Sequence, residues 1–556
     1  MRNIFLILIT LGFSLCIPAL APAAPQTLTY TQKVLQVLNR LSFGPEPGDI
    51  AHVRHIGIKA YIEEQLHPET IDDSRCDNDL KTIPTLSMTA YQLYQAYPPA
   101  KAAALGEKPN PDQVKAANQH IREILDQLTQ AKLTRILESQ RQLQEVMVDF
   151  WFNHFNVTFQ KNRDKWFITP YEQDAIRPYA LGKFRDLLGA VAHSPAMLEY
   201  LDNVNSSVDA RYVPADEMDE YPQMEKMMDQ PMSADGKPKK SMGLNENYAR
   251  ELMELHTLGV DSGYTQDDVI QVARALTGWS IQGQGKPGQN DVDPDQVFQF
   301  KFRERMHDLG PATILGQAFD GSQGEAEGEA VLDLLAKNPA TAHFIATKLC
   351  RRFICDDPPP ALVNRVAQRF LDSGGDIRET LRAIFYSKEF MSPTYYRAKV
   401  KTPLEFMASA LRVTNAHVTD TQKIAQILNL MGEPLYLCEP PTGYPDDAKA
   451  WVNSSALLDR MNFSLILLGN KPRSPARVNL TQIDPSLSSG DDGKKILRGF
   501  FQALLDGQVS ANTQKVLFSK LDDPEISHAV LDDRQKSFEA SQLGALVLGS
   551  PDFQRR

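Results

Sequence analysis

Apolar residues recur at intervals of three and four positions through much of this chain, which is the spacing of an amphipathic helix. The clearest run begins at Leu133 and continues past Phe150, and it predicts one long helix that ends near Asn156. A second helix is predicted to begin after Thr265, because a threonine followed by acidic residues is typical of a helix N-terminus. Gly278 marks its predicted end.

Two more helices and one pair of strands complete the pattern. A helix is predicted over Pro339–Phe353, and Asp376 opens another in the same manner as the second helix. Alternating phenylalanines at 298–302, followed by apolar residues at 313–315, predict a β-hairpin over residues 297–316. The predicted fold class is therefore mainly α, a multi-helix globular protein with one small β-hairpin.

Stretches rich in proline and polar residues divide the chain. We predict a main helical domain over residues 24–471, a linker-like loop over 472–493 and a C-terminal helical segment over 494–556 that packs on the main domain. Residues 208–243 form a methionine-rich insert in the main domain. Thioethers can bind Cu(I), but the absence of His and Cys from the insert favours a polar loop without a metal.

The first residues have the features of a secretory signal peptide. Arg2 precedes an apolar run from Ile4 to Ile17, and small residues lead to a cleavage site after Ala23. The run is shorter than the roughly 20 residues that span a bilayer, so cleavage is favoured over a retained anchor. We expect residues 1–23 to be removed and the mature chain, which has no transmembrane span, to be exported to the periplasm or the extracellular space.

Composition and common motifs exclude several classes of function. The 556 residues include 59 Lys and Arg against 70 Asp and Glu, which gives a net charge of −11. Binding a polyanion requires a basic surface, so nucleic acid is not an expected partner. The sequence also lacks the Gly-x-Ser-x-Gly, phosphate-binding lysine loop and His-Glu-x-x-His motifs of common hydrolases, nucleotidases and zinc proteases.

Four cysteines follow the predicted signal peptide: Cys76, Cys350, Cys355 and Cys438. No Cys-x-x-Cys-His motif occurs, so covalent haem is not expected. On a continuous helix, Cys350 and Cys355 would point in different directions. They can form a disulfide only if the helix ends between them.

The first candidate site is Asn153-His154-Phe155, where polar residues interrupt the end of the predicted long helix. His154 is in phase with Phe150 and therefore faces the core. Two interpretations are open: a structural histidine bonded to a backbone carbonyl, or a catalytic residue.

The second candidate site follows Asn245. Asn247, Arg250, Glu251 and Glu254 share one face of a helix, because they lie three and four positions apart. A solvated helix face explains such a stripe. The alternative is functional, because two carboxylates one turn apart can bind a divalent metal or act as an acid/base pair.

Two shorter clusters complete the candidates. His307 and Asp308 follow the first predicted strand, where they form either an ordinary capped turn or a catalytic imidazole and carboxylate on a rigid hairpin. Asp202 and Asn203 directly precede the insert and are candidates for binding.

These clusters also carry a family resemblance: the chain resembles the exported bacterial proteins of the domain of unknown function 1800 family. The matching stretches are residues 38–45, 151–155, 200–203, 245–259, 273–279, 307–308, 339–353 and 549–553. The resemblance implies an exported helical protein without an established activity. It also implies a partner, because such proteins are often encoded beside a sulfatase-like family of unknown function (1501). The chain departs from the family at His256, where an aromatic residue is expected, and in the insert.

Two functional hypotheses follow. The first is a hydrolase-like enzyme at the cell envelope that uses acid/base or metal-assisted chemistry, with a divalent metal as a candidate cofactor. The alternative is a non-catalytic binding or assembly protein that acts with the sulfatase-like partner. One pocket shared by the clusters would favour the enzyme, whereas separate sealed networks would favour the alternative. The predicted catalytic residues are His154, Glu251, Glu254, His307 and Asp308, and the predicted binding residues are Asp202, Asn203, Asn245, Asn247 and Arg250.

Overall fold

The computed structural model describes seven stretches of the chain. They are residues 27–100, 110–208, 243–260, 262–283, 293–483, 493–521 and 533–556. The predicted signal peptide and the methionines of the insert lie outside the described residues, so the fold addresses neither the expected cleavage nor the expectation of a polar loop without a metal.

Helices form most of the described structure, which confirms the predicted fold class. Before the insert they are α1 (Tyr30–Leu41), α2 (Asp49–Ile56), α3 (Ile58–Leu66), α4 (Ser74–Leu80), α5 (Ala90–Ala96), α6 (Pro111–Glu138), α7 (Gln142–His154), α8 (Asp164–Pro170), α9 (Phe184–His193) and α10 (Pro195–Tyr200). In the middle of the chain they are α11 (Glu246–Glu251), α12 (Gln266–Ala275), α13 (Glu325–Lys337), α14 (Pro339–Phe353), α15 (Pro360–Asp372), α16 (Ile377–Phe385) and α17 (Pro403–Val413).

The remaining helices are shorter or lie toward the C-terminus. They are α18 (Thr421–Leu430), α19 (Ala448–Trp451), α20 (Ser454–Leu468), α21 (Leu480–Ile483), α22 (Gly493–Leu505), α23 (Ala511–Leu521), α24 (Asp533–Leu548) and α25 (Pro551–Gln554). Two π-helical segments, Tyr171–Ile176 and Leu252–Thr257, continue α8 and α11. Short 3₁₀ turns lie at Pro68–Thr70, Pro84–Ser87, Arg177–Tyr179, Asn203–Asn205, Pro294–Gln296, Glu304–Met306 and Pro393–Tyr395.

Three predicted helices are confirmed, two of them together with their predicted caps. The Thr265 side chain accepts the backbone N–H of Asp268 and thereby caps α12. α14 spans the predicted residues, with a proline in its first turn and Asn338 as its cap. Asp376 caps α16 by accepting the backbone N–H of Glu379.

The predicted long helix is wrong, because the chain breaks between α6 and α7. The Asp73 carboxylate accepts the Gln140 backbone N–H at 2.8 Å and the Ser139 hydroxyl at 2.6 Å. Asp73 is far from both residues in sequence. It binds the Gln140 N–H, which a continuous helix would use for its own backbone hydrogen bond. The apolar periodicity continues across the break, and for that reason it predicted a single helix.

The predicted hairpin over 297–316 is also wrong in its pairing. Strand β1 (Trp279–Ile281) pairs antiparallel with β2 (Phe300–Phe302), and β3 (Ala312–Ile314) pairs with β4 (Gln317–Phe319). The second pair forms because the two residues between its strands, at 315 and 316, both adopt positive φ, as a tight hairpin turn requires. The short strands β5 (His417–Val418) and β6 (Ala476–Arg477) form a third pair.

One hydrophobic core runs through the described helices from Val34 to Phe553. The C-terminal segment contributes to it, since the ring of Phe553 packs edge-on against that of Phe406 in α17 at 5.9 Å. The predicted linker includes β6 and α21, and its residues 484–492 lie outside the described part of the chain. None of the described helices combines the length and the apolar character needed to cross a membrane.

Candidate functional site

A small cavity of about 60 Å³ lies between the end of α7, the start of α17 and the segment 433–446. We call it the Asp149 cavity. A volume of this size has room for roughly four water molecules. Its charged and amide lining consists of Lys132, Asp149, Asn153, Asn156, Arg352, Glu433 and Asp446. The cavity therefore combines acidic, basic and amide groups in the interior of a helical protein.

Asp149 is held by an ion pair inside this cavity. Lys132 reaches it from α6, with Nζ 2.6 Å from a carboxylate oxygen, and the ammonium lies over the rings of Phe152 and Tyr436. Burial alone would lower the pKa of Lys132, but the carboxylates of Asp149 and Glu172 outweigh it, so the pKa is raised. Lys132 is therefore a fixed cation paired with the Asp149 carboxylate.

Glu433 lies in the same cavity as Asp149 but has different neighbours. Its carboxyl accepts the backbone N–H of Leu404 at 2.7 Å, at the start of α17, and among the described residues it has no ion-pair partner. Burial raises the pKa of Glu433 to about 8, the Leu404 N–H opposes this, and the Asp149 charge adds to it. Glu433 is consequently a protonated acid at neutral pH, in the same cavity as the paired Asp149.

A buried ion network closes the side of the cavity formed by α14. Arg352 forms an ion pair with Glu405, and Arg556 Nη2 lies 2.8 Å from the same carboxylate. Burial alone would raise the pKa of Glu405, but the two guanidinium groups hold it at about 2. The network holds the C-terminal residues against α14 and α17.

Two asparagines bind the segment 433–446 to the end of α7. Asn153 donates to the Tyr444 carbonyl at 2.9 Å and accepts the Tyr444 N–H at 2.7 Å, and Asn156 donates to the carbonyls of Cys438 and Pro440. Gly443 makes this approach possible, because its φ is +70° and a Cβ there would lie 2.2 Å from the Asn153 carbonyl. The Asn153-His154-Phe155 motif thus shapes the wall of the cavity.

His154 itself points away from the cavity, into the core. Its Nε2 lies 3.1 Å from the carbonyl of His256, in the π-helical segment, and its Nδ1 lies 3.0 Å from Nζ of Lys348 on α14. Burial, together with the positive charge of Lys348, keeps the pKa of His154 well below its ordinary value. The imidazole is therefore neutral, and it contacts a backbone carbonyl and a lysine.

The second cluster lies on a partly exposed helix face. Arg250 contacts Glu246 and Gln266, Glu254 accepts the Tyr264 hydroxyl at 3.2 Å, and Asn247 is exposed. Burial raises the pKa of Glu251, with a further contribution from Glu254. These contacts match the solvated-face interpretation.

No described group of three or more His, Cys, Asp or Glu side chains is arranged to hold a metal ion. The predicted pair Glu251 and Glu254 accordingly has no third acidic or imidazole ligand among the described residues. The donor set needed for the divalent metal hypothesis is thus not assembled in this part of the chain.

His307 and Asp308 belong to a separate buried network. Arg274 binds Asp308 through two nitrogens, each 2.9 Å from a carboxylate oxygen. His307 Nδ1 lies 3.0 Å from the Thr277 carbonyl, and its Nε2 lies 3.5 Å from Glu327 on α13. Both predicted residues are almost fully buried, so this cluster is a sealed hydrogen-bond network.

Asn203 and Asn245 bind backbone groups rather than open space. Asn203 donates to the carbonyls of Leu276 and Trp279, and Asn245 caps α11 while donating to the Leu201 carbonyl. Asp202 is exposed and forms an ion pair with Lys161 at 2.8 Å.

The predicted site residues therefore occupy different surroundings. No hydrogen bond or ion pair between described side chains joins His154, Glu251 and His307. Of the predicted residues, only His154 belongs to the helix that forms the Asp149 cavity. The roles assigned to the others stay predictions.

Sequence reasoning missed most of the cavity, although one signal was present. Asp149, Asn153 and Asn156 lie four and three positions apart, so they form a polar stripe on an otherwise apolar helix end. Lys132, Arg352 and Glu433 come from distant segments, and nothing in their local sequence distinguishes them from ordinary charged residues.

We expect the four described cysteines to differ in reactivity. All are free thiols, and α14 ends at Phe353, between Cys350 and Cys355. Cys355 is partly exposed, whereas burial raises the pKa of the Cys350 thiol to about 12. Timed iodoacetamide labelling with peptide mapping should show Cys355 reacting roughly tenfold or more faster than Cys350, because the thiolate is the reactive form. A Cys350–Cys355 disulfide peptide in the unreduced protein would contradict this expectation.

Comparison with known proteins adds one match. The model of a family described as "Protein of unknown function (DUF1800)" matches residues 36–555. No curated protein and no solved structure matches the chain. The match covers nearly the whole chain and confirms the resemblance that the sequence motifs indicated.

Proposed function

Since the chain belongs to this DUF1800 family, whose description assigns no activity, we propose a function from the cavity: the protein is an acid/base enzyme in which Glu433 donates a proton and Asp149 accepts one. The observation that carries the proposal is the presence of two carboxyl groups with different surroundings in one cavity. Asp149 has a cation at 2.6 Å, and Glu433 has a backbone N–H instead.

This difference is what acid/base catalysis requires. A group that donates a proton must hold it at the working pH, and a group that accepts one must be ionised there. Enzymes that use two carboxyl groups obtain both states by giving the groups unlike environments. The raised pKa of Glu433 supports its role as the proton donor, and the pairing of Asp149 with the Lys132 cation supports its role as the acceptor.

The size of the cavity limits the chemistry to one reacting group and a few water molecules. A space of about 60 Å³ is far smaller than the roughly 300–1,000 Å³ of pockets that enclose a whole ligand. The proposal is therefore a hydrolase-like reaction at one bond of a substrate that extends beyond the cavity.

The test compares carboxamide variants in the two candidate regions. We expect Glu433→Gln and Asp149→Asn each to lower turnover by about 10²-fold or more, as the loss of a general acid or base does. Glu254→Gln is the matched control, because it removes a carboxylate from the partly exposed face of the second cluster. Purified proteins would be assayed on a panel of chromogenic esters, phosphoesters, amides and glycosides, with melting temperatures measured in parallel.

The same set of variants can contradict the proposal. If Glu254→Gln or Glu251→Gln abolishes the hydrolysis while Glu433→Gln and Asp149→Asn retain it, the reaction belongs to the second cluster. If the wild-type protein hydrolyses none of the substrate classes, the hydrolytic proposal is rejected and the assembly hypothesis replaces it.

A second function is favoured by the sealed network of Arg274, His307 and Asp308. Buried side chains that are fixed by hydrogen bonds and ion pairs within the core fit a rigid scaffold, and we propose as the alternative a binding or assembly protein for the sulfatase-like neighbour. Size-exclusion chromatography of the two purified proteins, alone and mixed, would test it. A complex that survives Glu433→Gln would support this alternative, and separate elution would exclude it.

We also propose export, on the basis of the N-terminal pattern of Arg2, apolar run and small residues. Intact-mass measurement of protein from the periplasm or the medium is expected to give a chain that begins near Ala24. A chain there that retains residues 1–17 would refute cleavage.

A further inference from the structure

Lys348 has an unusual hydrogen-bond partner for a lysine. Its Nζ lies 3.0 Å from Nδ1 of His154, and the side chain is partly exposed. The chemistry proposed for Glu433 and Asp149 does not use this amine. A partly exposed lysine next to an imidazole, with no ion pair to a carboxylate among the described residues, needs its own explanation.

The His256 carbonyl fixes the direction of these bonds. A carbonyl oxygen only accepts hydrogen bonds, so His154 Nε2, at 3.1 Å from it, carries the proton. Nδ1 of the neutral ring is then a lone pair. The Lys348 amine donates to this lone pair, and His154 is placed to accept a proton from the amine.

The surroundings make the Lys348 ammonium easier to deprotonate than that of an exposed lysine. Burial lowers the pKa of Lys348, and the Arg351 guanidinium on the same helix adds to this, while Asp446 opposes it. The facing groups from the other elements are His154 on α7 and His256 in the π-helical segment, both held neutral by burial. The Phe344 ring lies 5.7 Å from the amine and keeps one side apolar.

We propose that Lys348 is a nucleophilic amine that forms an imine with a small aldehyde or ketone, with His154 as the proton acceptor. This goes beyond the proposed function, because it uses an amine in place of the two carboxyl groups. The amine lies outside the lining of the Asp149 cavity, and Asp446, which lines that cavity, acts on it only through its charge.

Imine formation needs only the Lys348 amine, the carbonyl compound, His154 and water. The nitrogen lone pair attacks the carbonyl carbon, a C–N bond forms, and the carbonyl π electrons move to oxygen, which takes up a proton from water. The nitrogen loses its proton to Nδ1 of His154. The resulting carbinolamine loses its hydroxyl group as water, with the proton supplied by His154. The hydroxide left by the first water then takes the remaining proton from nitrogen, which leaves a neutral imine.

Reductive trapping tests the proposal directly on the whole chain. The protein would be incubated briefly with propionaldehyde and cyanoborohydride, which converts an imine into a stable propyl amine, and then mapped by peptide mass spectrometry. We expect Lys348 to be labelled at least tenfold faster than Lys337 and Lys423, whose side chains are 75% and 50% exposed.

Three variants separate the roles. Lys348→Arg should remove the adduct from that peptide and leave labelling of Lys337 and Lys423 unchanged. His154→Gln should slow the labelling of Lys348 about tenfold and raise the pH at which labelling begins, which a purely structural role would not do. Glu433→Gln should label Lys348 as the wild type does, so failure of the acid/base proposal is distinguishable from failure of this one.

Equal labelling rates for Lys348 and the two exposed lysines in the folded wild-type protein would overturn the proposal. Unchanged labelling of Lys348 in a folded His154→Gln variant would remove His154 from the step.

Discussion

Replacing Glu405 with alanine is expected to lower the free energy of unfolding by roughly 3–5 kcal/mol, the usual cost of removing one partner from a buried ion pair. Glu405 is almost completely buried and serves both Arg352 and Arg556. Its loss leaves two guanidinium groups in the core without their carboxylate. It also removes the carboxylate that accepts the Thr402 backbone N–H at the start of α17.

Urea unfolding at pH 7 measures this effect. Glu254→Ala is the control, because Glu254 is partly exposed and its only described hydrogen bond is from a tyrosine hydroxyl, so a change below about 1 kcal/mol is expected. A loss below about 1 kcal/mol for Glu405→Ala as well would show that the network contributes little to stability.

The same ion network should determine how the free energy of unfolding falls at acid pH. The pKa of Glu405 is about 2 in the folded protein and 4.5 ordinarily, so the folded state releases this proton more readily than the unfolded state. Its contribution is therefore fully present above pH 4.5 and is lost as the pH falls toward 2. In the Glu405→Gln variant, the free energy of unfolding should therefore fall less steeply between pH 4.5 and 2 than in the wild type.

The fold was predictable wherever the determining information is local. Thr265 and Asp376 act on backbone groups within one turn, so these two caps could be assigned from sequence alone. The break after α6 was not predictable, because Asp73 acts across the fold on Gln140. The predicted strand pairing was wrong for the same reason, because β2 pairs with a strand that precedes it by about twenty positions along the chain.

The candidate site was predictable only in the part carried by one helix. His154 and Asn153 stand out because they interrupt an apolar periodicity. Lys132, Arg352 and Glu433 become candidate site residues only because the fold brings them into one buried cavity. That cavity is formed by α6, α14 and the segment before α19 together. Conversely, His307 and Asp308 looked functional in sequence, yet Arg274 and Glu327 enclose them in the core.

The other large effect concerns Glu433 and pH. Relative to the wild type, Glu433→Gln is expected to gain stability as the pH rises from about 5 to 8, by as much as about 1.4 kcal/mol per pH unit. The pKa of Glu433 is raised to about 8 in the folded protein, against 4.5 ordinarily, mainly by burial. Between these values the folded state keeps a proton that the unfolded state has released. The stability that this proton supplies is complete below about pH 4.5 and declines as the pH rises to 8.

Glutamine cannot ionise, so the variant escapes this decline while it keeps the shape of the side chain and an oxygen for the Leu404 N–H. The buried His154 and His256 have lowered pKa values and therefore add stability as the pH rises toward 6.5, in both proteins alike. The informative quantity is accordingly the difference between the two unfolding free energies, measured in urea at pH 5, 6.5 and 8, with Glu254→Gln as a variant that should follow the wild type. Parallel curves for Glu433→Gln and the wild type would mean that Glu433 is ionised in the folded protein, and the proton donor proposed for the Asp149 cavity would be lost with it.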